Sequence, residues 1–246
     1  MSDIAFKFDA FNSPKIPDYV GAIRLMLPYN TVSEMGASEF ISKVLDLCSE
    51  MKFLSGNVGF TVNRDYANSS YPDKWSKLWT ESKKYLLLDP TKFEGFWNMF
   101  QYCNQETNER KFLHVLKRID WLTFINHRLI DKLGGIDTLT KNLTIDFDGS
   151  IIKDVILHKL PHGICVQAGA EPIIGDISNL DYKALSPYRH IGSALKPVTI
   201  LQNEYGYDVK EFNFGGMSGG GISSNFWIEK GFPLLIKRYK QLSNRK

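Results

Sequence analysis

The sequence predicts an α+β fold: two βαββα-like halves packed as one unit, with a mixed or antiparallel sheet and flanking helices. Three observations carry this reading. Apolar residues step by two in Val58, Phe60 and Val62, the spacing of a half-buried strand. They step by three and four in Phe40, Ile41, Val44, Leu45, Cys48 and Met51, the spacing of one helical face. The order strand, helix, strand or strands, helix then occurs twice, before and after about residue 110. Residues 1–110 thus form an N-terminal α+β lobe and residues 111–246 a C-terminal one, with no disordered linker between them.

In the first half, Tyr19 to Leu27 reads as a largely apolar strand ended by Pro28, and Ser33 to Met51 as a single helix. Gly56 to Arg64 follows as the second strand. Trp75, Leu78 and Trp79 suggest a short helix after the Tyr71–Pro72 turn. Asp89-Pro90-Thr91 breaks the chain, and Phe93, Phe96, Trp97 and Phe100 form another helical stripe, read as core. Gln101 to Lys111 is a polar loop.

In the second half, Leu113 to Phe124 is strand-like. Asn126 is placed to cap a short helix running to Leu133, because its side-chain oxygen can accept from an otherwise unsatisfied N–H of the first turn. Gly134-Gly135 ends that helix, and another runs from Asp137 to Leu143. Two strands, Ile151 to Leu157 and Gly163 to Ala168, are joined through a Pro161-His162-Gly163 turn. Asp146 and Asp148-Gly149 mark a reversal ahead of them. Ser186 reads as an N-cap with Pro187 at the first helical position; Tyr188, Ile191 and Leu195 point inward, and Pro197 stops the helix. Residues 215–221 are a glycine-rich loop, and a last helix includes Phe232 to Leu242.

Composition narrows the function. The formal charge is +3, from 30 basic and 27 acidic residues, too even for a dedicated nucleic-acid binder. Three scattered cysteines, Cys48, Cys103 and Cys165, lie in apolar segments and read as buried thiols rather than a disulfide framework. Residues 1–17 lack the apolar core of a signal peptide, and no window spans a membrane. A cytoplasmic location is therefore expected.

Sites of chemistry are scarce. The five histidines form no zinc-protease pattern, and residues 215–221 lack the Gly-Lys-Ser/Thr ending of a phosphate loop. Cys165 alternates within Ile164-Cys165-Val166, which favours burial over nucleophilic use. No catalytic residue, cofactor or metal site is expected.

An ordered set of segments is more informative: Trp121-Leu122-Thr123-Phe124; Leu133-Gly134-Gly135; residues 167–176 (QAGAEPIIGD); Leu185-Ser186-Pro187-Tyr188-Arg189; and Ala194-Leu195-Lys196-Pro197. This set, over residues 113–200, resembles the type VI secretion immunity family called TsiV or DUF3396. The resemblance implies a cytoplasmic immunity protein that neutralises a cognate toxin stoichiometrically. The toxin would be the product of the adjacent gene, and neither a membrane nor direct nucleic-acid contact would be involved. The shared residues Trp121, Gly169, Pro172, Gly175, Asp176, Tyr188, Arg189, Lys196 and Pro197 read as architecture: glycines for tight turns, proline for a corner, and Asp176 as a loop cap or a partner for Arg189. Toxin contacts are expected on exposed loops, with Arg64, Asp65, Tyr66, Tyr205, Tyr207 and Asp208 as candidates because tyrosines and charges anchor interfaces. Nothing in the sequence fixes the oligomeric state.

Overall fold

The computed structural model describes residues 4–12, 21–62, 84–88, 116, 118–146, 148–176 and 183–199. The first half supplies β1 (Ile4–Asn12), β2 (Gly21–Pro28), α1 (Thr31–Met35), α2 (Ala37–Ser49) and β3 (Phe53–Val62). The second supplies β4 (Leu122–Asn126), α3 (His127–Lys132), α4 (Ile136–Thr144), β5 (Val155–Leu160), β6 (Gly163–Ala168) and α5 (Ser186–Leu195), with a 3-10 turn at Lys196–Val198.

The strands form one six-stranded sheet in the order β2-β1-β3-β4-β6-β5, antiparallel at every pairing. The fold class is α+β, and the mixed alternative gives way to an antiparallel sheet. The two halves meet at β3 and β4, where Ser55 lies opposite Ile125 and Val58 opposite Leu122. Every residue of β4 and of β6 is buried. Both faces of the sheet centre are therefore covered, which is why these segments read as apolar runs and not as clean alternation.

The core is built on the sheet centre. Trp121, Tyr188 and Phe124 are its largest fully buried side chains. Helix α2 buries Phe40, Ile41, Val44 and Cys48, the face its three- and four-residue spacing predicts. Phe40 stacks on Trp121 with ring centroids 6.0 Å apart, and Phe53 meets Phe124 edge-on at 5.7 Å. Each such side chain contributes about 1.5–3 kcal/mol by leaving water, and the ring pairs add about 0.5–1.5 kcal/mol beyond area alone.

Several boundaries differ from the sequence reading. β1 was not anticipated: residues 4–12 form an inner strand between β2 and β3. The helix expected from Ser33 to Met51 is two helices, because Gly36 takes φ 90°, a conformation that breaks an α-helical ladder and suits glycine. Of the strand expected from Leu113 to Phe124, Leu116 forms an isolated bridge to Thr199, and the continuous strand begins at Leu122. The strand expected from Ile151 starts instead at Val155, with Ile151 bridged to Ile145. Helix α5 is capped by Leu185 without a side-chain bond, so Ser186 is its first residue and Pro187 its second. Asn126 does cap α3: its Oδ1 accepts from Leu129 N at 3.0 Å.

The helices expected at 75–79, 93–100 and 232–242, the loops at 101–111 and 215–221, Cys103, and the lobe boundary at 110 lie outside the described residues.

Candidate functional site

Three of the segments singled out in the sequence, those around Trp121, residues 167–176 and Tyr188, meet at the corner where β6 ends. The Gly169 carbonyl accepts from Trp121 Nε1 at 3.2 Å and from Gln167 Nε2 at 2.9 Å, while the Gly169 N–H donates to Asp154 O at 2.7 Å. With its amide nitrogen turned to Gly169, Gln167 presents Oε1 to His158 Nε2 at 2.7 Å, which places that imidazole proton on Nε2. Trp121 and Gln167 of β6 are thus tied to one carbonyl, and His158 of β5 joins them through Gln167.

The chain then passes the half-buried Pro172 and pairs with residues 85–87. Leu86 N donates to Gly175 O at 2.8 Å, Leu87 N donates to Ile174 O at 3.0 Å, and Tyr85 and Asp176 form an antiparallel bridge. Gly175 has φ 69°, and a side chain there would press within 3.3 Å of Leu86. Tyr188 on α5 is 1% exposed. Burial pushes its phenol pKa up; Asp120 adds to the rise, and the Ile173 backbone and Arg118 oppose it. Arg189 is half-buried, and Lys196 and Pro197 are exposed at the end of α5.

Beneath this corner is a buried polar group that the sequence reading missed. Arg118 Nη2 lies 2.6 Å from Asp120 Oδ1, with the two side chains 8% and 2% exposed. Arg118 Nη2 also donates to Leu87 O at 2.8 Å, and Asn57 Nδ2 donates to Asp120 Oδ2. Thr123 Oγ1 accepts from Asp120 N at 3.1 Å. Gly59 leaves the room this carboxylate fills, since a Cβ there would lie 2.6 Å from Asp120 Oδ1. The cluster joins β3, the approach to β4 and residues 84–88. Its only sequence signal is a charge pair two residues apart within an apolar run, Arg118-Ile119-Asp120-Trp121.

Among the described residues, both cysteines are withdrawn from solvent. Cys48 and Cys165 are free and buried. Burial raises the Cys48 thiol to about 12 and the Cys165 thiol well above its usual value, so both stay protonated and poorly nucleophilic. Among the described residues no group of three or more His, Cys, Asp and Glu is placed to hold a metal ion. A cleft of about 430 Å³ opens between α4 and α5, lined by residues including Lys141, Ile145, Asp146, His190, Ser193 and Pro197. Of its lining residues, Ala194 and Pro197 belong to the segments singled out in the sequence. The toxin-contact candidates Arg64, Asp65, Tyr66, Tyr205, Tyr207 and Asp208 all lie outside the described residues.

An antiparallel α+β scaffold whose polar groups are spent on holding one corner is accompanied by a specific family match, and the class it defines is type VI immunity. The chain belongs to the TsiV family, described as type VI immunity for VRR-NUC, whose model matches residues 5–228. Among solved structures, the Pseudomonas aeruginosa T6SS protein PA0821 is similar in fold, with a TM-score of 0.62 at 20% sequence identity. The match covers 92% of this chain and 54% of that one, so this chain spans about half the length of that relative. No curated protein matches the chain.

Proposed function

We propose that this protein works in the cytoplasm as an immunity protein, binding a cognate toxin of VRR-NUC type one to one and covering its working surface. The carrying observation is the family match over residues 5–228, whose description names both the role and the counterpart. The chemistry supports occupancy over turnover. Asp120 is engaged by Arg118 and Asn57, and the thiols of Cys48 and Cys165 are buried and held protonated. A near-balanced charge of +3 suits a protein partner better than direct contact with nucleic acid. Among the described residues no helix is long and apolar enough to cross a membrane.

A toxin of the nuclease kind reaches its substrate in the cytoplasm, which is where its inhibitor is needed. The partner is the product of the neighbouring gene. An inhibitor interface of ordinary size buries on the order of 1,600 Å² and reaches about nanomolar affinity or better. The test is a titration of purified toxin, with nucleic-acid cleavage as readout. Protection complete at one equivalent, together with a stable complex on a sizing column, is the expected result. Full protection at a small fraction of an equivalent would show turnover and overturn the reading.

A further inference from the structure

We infer that the outer face of α2 is where the toxin docks. This inference rests on the immunity reading and names the surface that serves it.

Helix α2 is fixed from below. Phe40, Ile41, Val44 and Cys48 are buried, and Phe40 stacks on Trp121. Its other side carries Glu39, Lys43, Asp46 and Leu47, with Glu50 at the C-cap. Steps of three and four set these five on one outward face. All are exposed, Leu47 to 40%. A helix already held by its buried side loses little conformational entropy when a second surface covers it. An apolar residue ringed by charges also has the layout of an interface, dry at the centre and polar at the rim.

The charges select the occupant. The whole chain carries +3, yet from Tyr29 to Met51 it has four carboxylates, Glu34, Glu39, Asp46 and Glu50, against Lys43 alone. Glu34, on α1, is exposed and accepts from Asn30 Nδ2, a neutral donor that leaves its charge in place. Lys43 is paired with Glu39 at 2.8 Å. Asp46 and Glu50 flank Leu47, and Lys52, the next cation, is exposed two residues further on. The face is therefore negative on a chain that is positive as a whole. A nuclease must present a cationic surface to its polyanionic substrate. Such a surface complements the outer face of α2 and would be covered by it. A second copy of this chain, meeting the same face about a two-fold axis, would oppose carboxylate to carboxylate.

The test compares the full chain with Leu47→Lys, with the paired change Asp46→Asn and Glu50→Gln, and with Ile136→Lys. The last is a control at a residue of α4 that is likewise 40% exposed. Each is assayed for binding to the purified product of the neighbouring gene at low and high salt, and for far-UV circular dichroism and thermal midpoint. Leu47→Lys is expected to weaken binding by about 30-fold or more. The paired change removes charge and keeps shape, so it should weaken binding by about tenfold and make it less sensitive to salt. Midpoints stay like the parent's, and Ile136→Lys binds like the parent. Should Leu47→Lys fail to fold, the paired change decides alone. The inference is overturned if the paired change, or a folded Leu47→Lys, binds like the parent, or if Ile136→Lys weakens binding as much; the immunity reading then stands and the surface lies elsewhere. If the unsubstituted chain fails to bind, both readings fall. A concentration-dependent dimer of the chain abolished by Leu47→Lys would assign the face to a second copy and also overturn it.

Discussion

Asp120 receives contacts from three directions, and its removal tests whether the corner is built around a charge. Arg118 and Asn57 converge on its carboxylate, and Thr123 Oγ1 accepts from its backbone N–H. Asp120→Ala leaves the Arg118 guanidinium buried without its carboxylate, which costs about 3–5 kcal/mol. Replacing both residues with apolar ones of similar volume, Arg118→Met with Asp120→Leu, is expected to cost less than the single change, because no charge is then left uncompensated. Urea unfolding of the two variants beside the parent checks this order. A second expectation at this scale concerns pH. The Cys48 thiol is raised from about 9 to about 12, so the folded state favours its neutral form. That contribution is fully present below about pH 9 and is lost as pH rises from about 9 toward about 12. Cys48→Ala should flatten the fall in unfolding free energy across this window, measured by urea titration at stepped pH.

The elements depend on a few backbone positions. Gly163, where β6 begins, lies so close to β4 that a side chain would run into the Ile125 carbonyl oxygen. Gly163→Ala is expected to destabilise by about 3 kcal/mol or more, since backbone must move to make room. Asn126→Ala removes the α3 cap and should cost about 1 kcal/mol. Thermal midpoints of the two variants separate these cases. Much at this scale was legible in advance. The apolar spacing of Phe40, Ile41, Val44 and Cys48 names the buried face of α2, and Asn126 followed by Gly134-Gly135 brackets α3. The split at Gly36 was not read, because the helical pattern continues across it and a single glycine is often tolerated inside a helix. β1 is weakly signalled: Phe6, Phe8 and Ala10 alternate with Lys7 and Asp9, but the apolar Ala5 and Phe11 on either side break the period of two. The polar cluster was illegible for a different reason: Asn57 and Asp120 are 63 residues apart, and only the β3–β4 pairing brings them together.

At the scale of the molecule, the β3–β4 ladder makes one sheet of strands from both halves. The two halves are expected to unfold together, giving coincident urea transitions by far-UV circular dichroism and tryptophan fluorescence. Two separate transitions would show that the halves are independent.

The position of β1 also governs the order in which the sheet is assembled. It is made before both of its neighbours, yet it must keep a place between β2 and a strand that begins only at Phe53. Until that later strand leaves the ribosome, β1 and β2 form a bare hairpin, which is marginal in water on its own. Trimming Ile4 to Asn12 from an expression clone would cut β2 off from the remaining four strands.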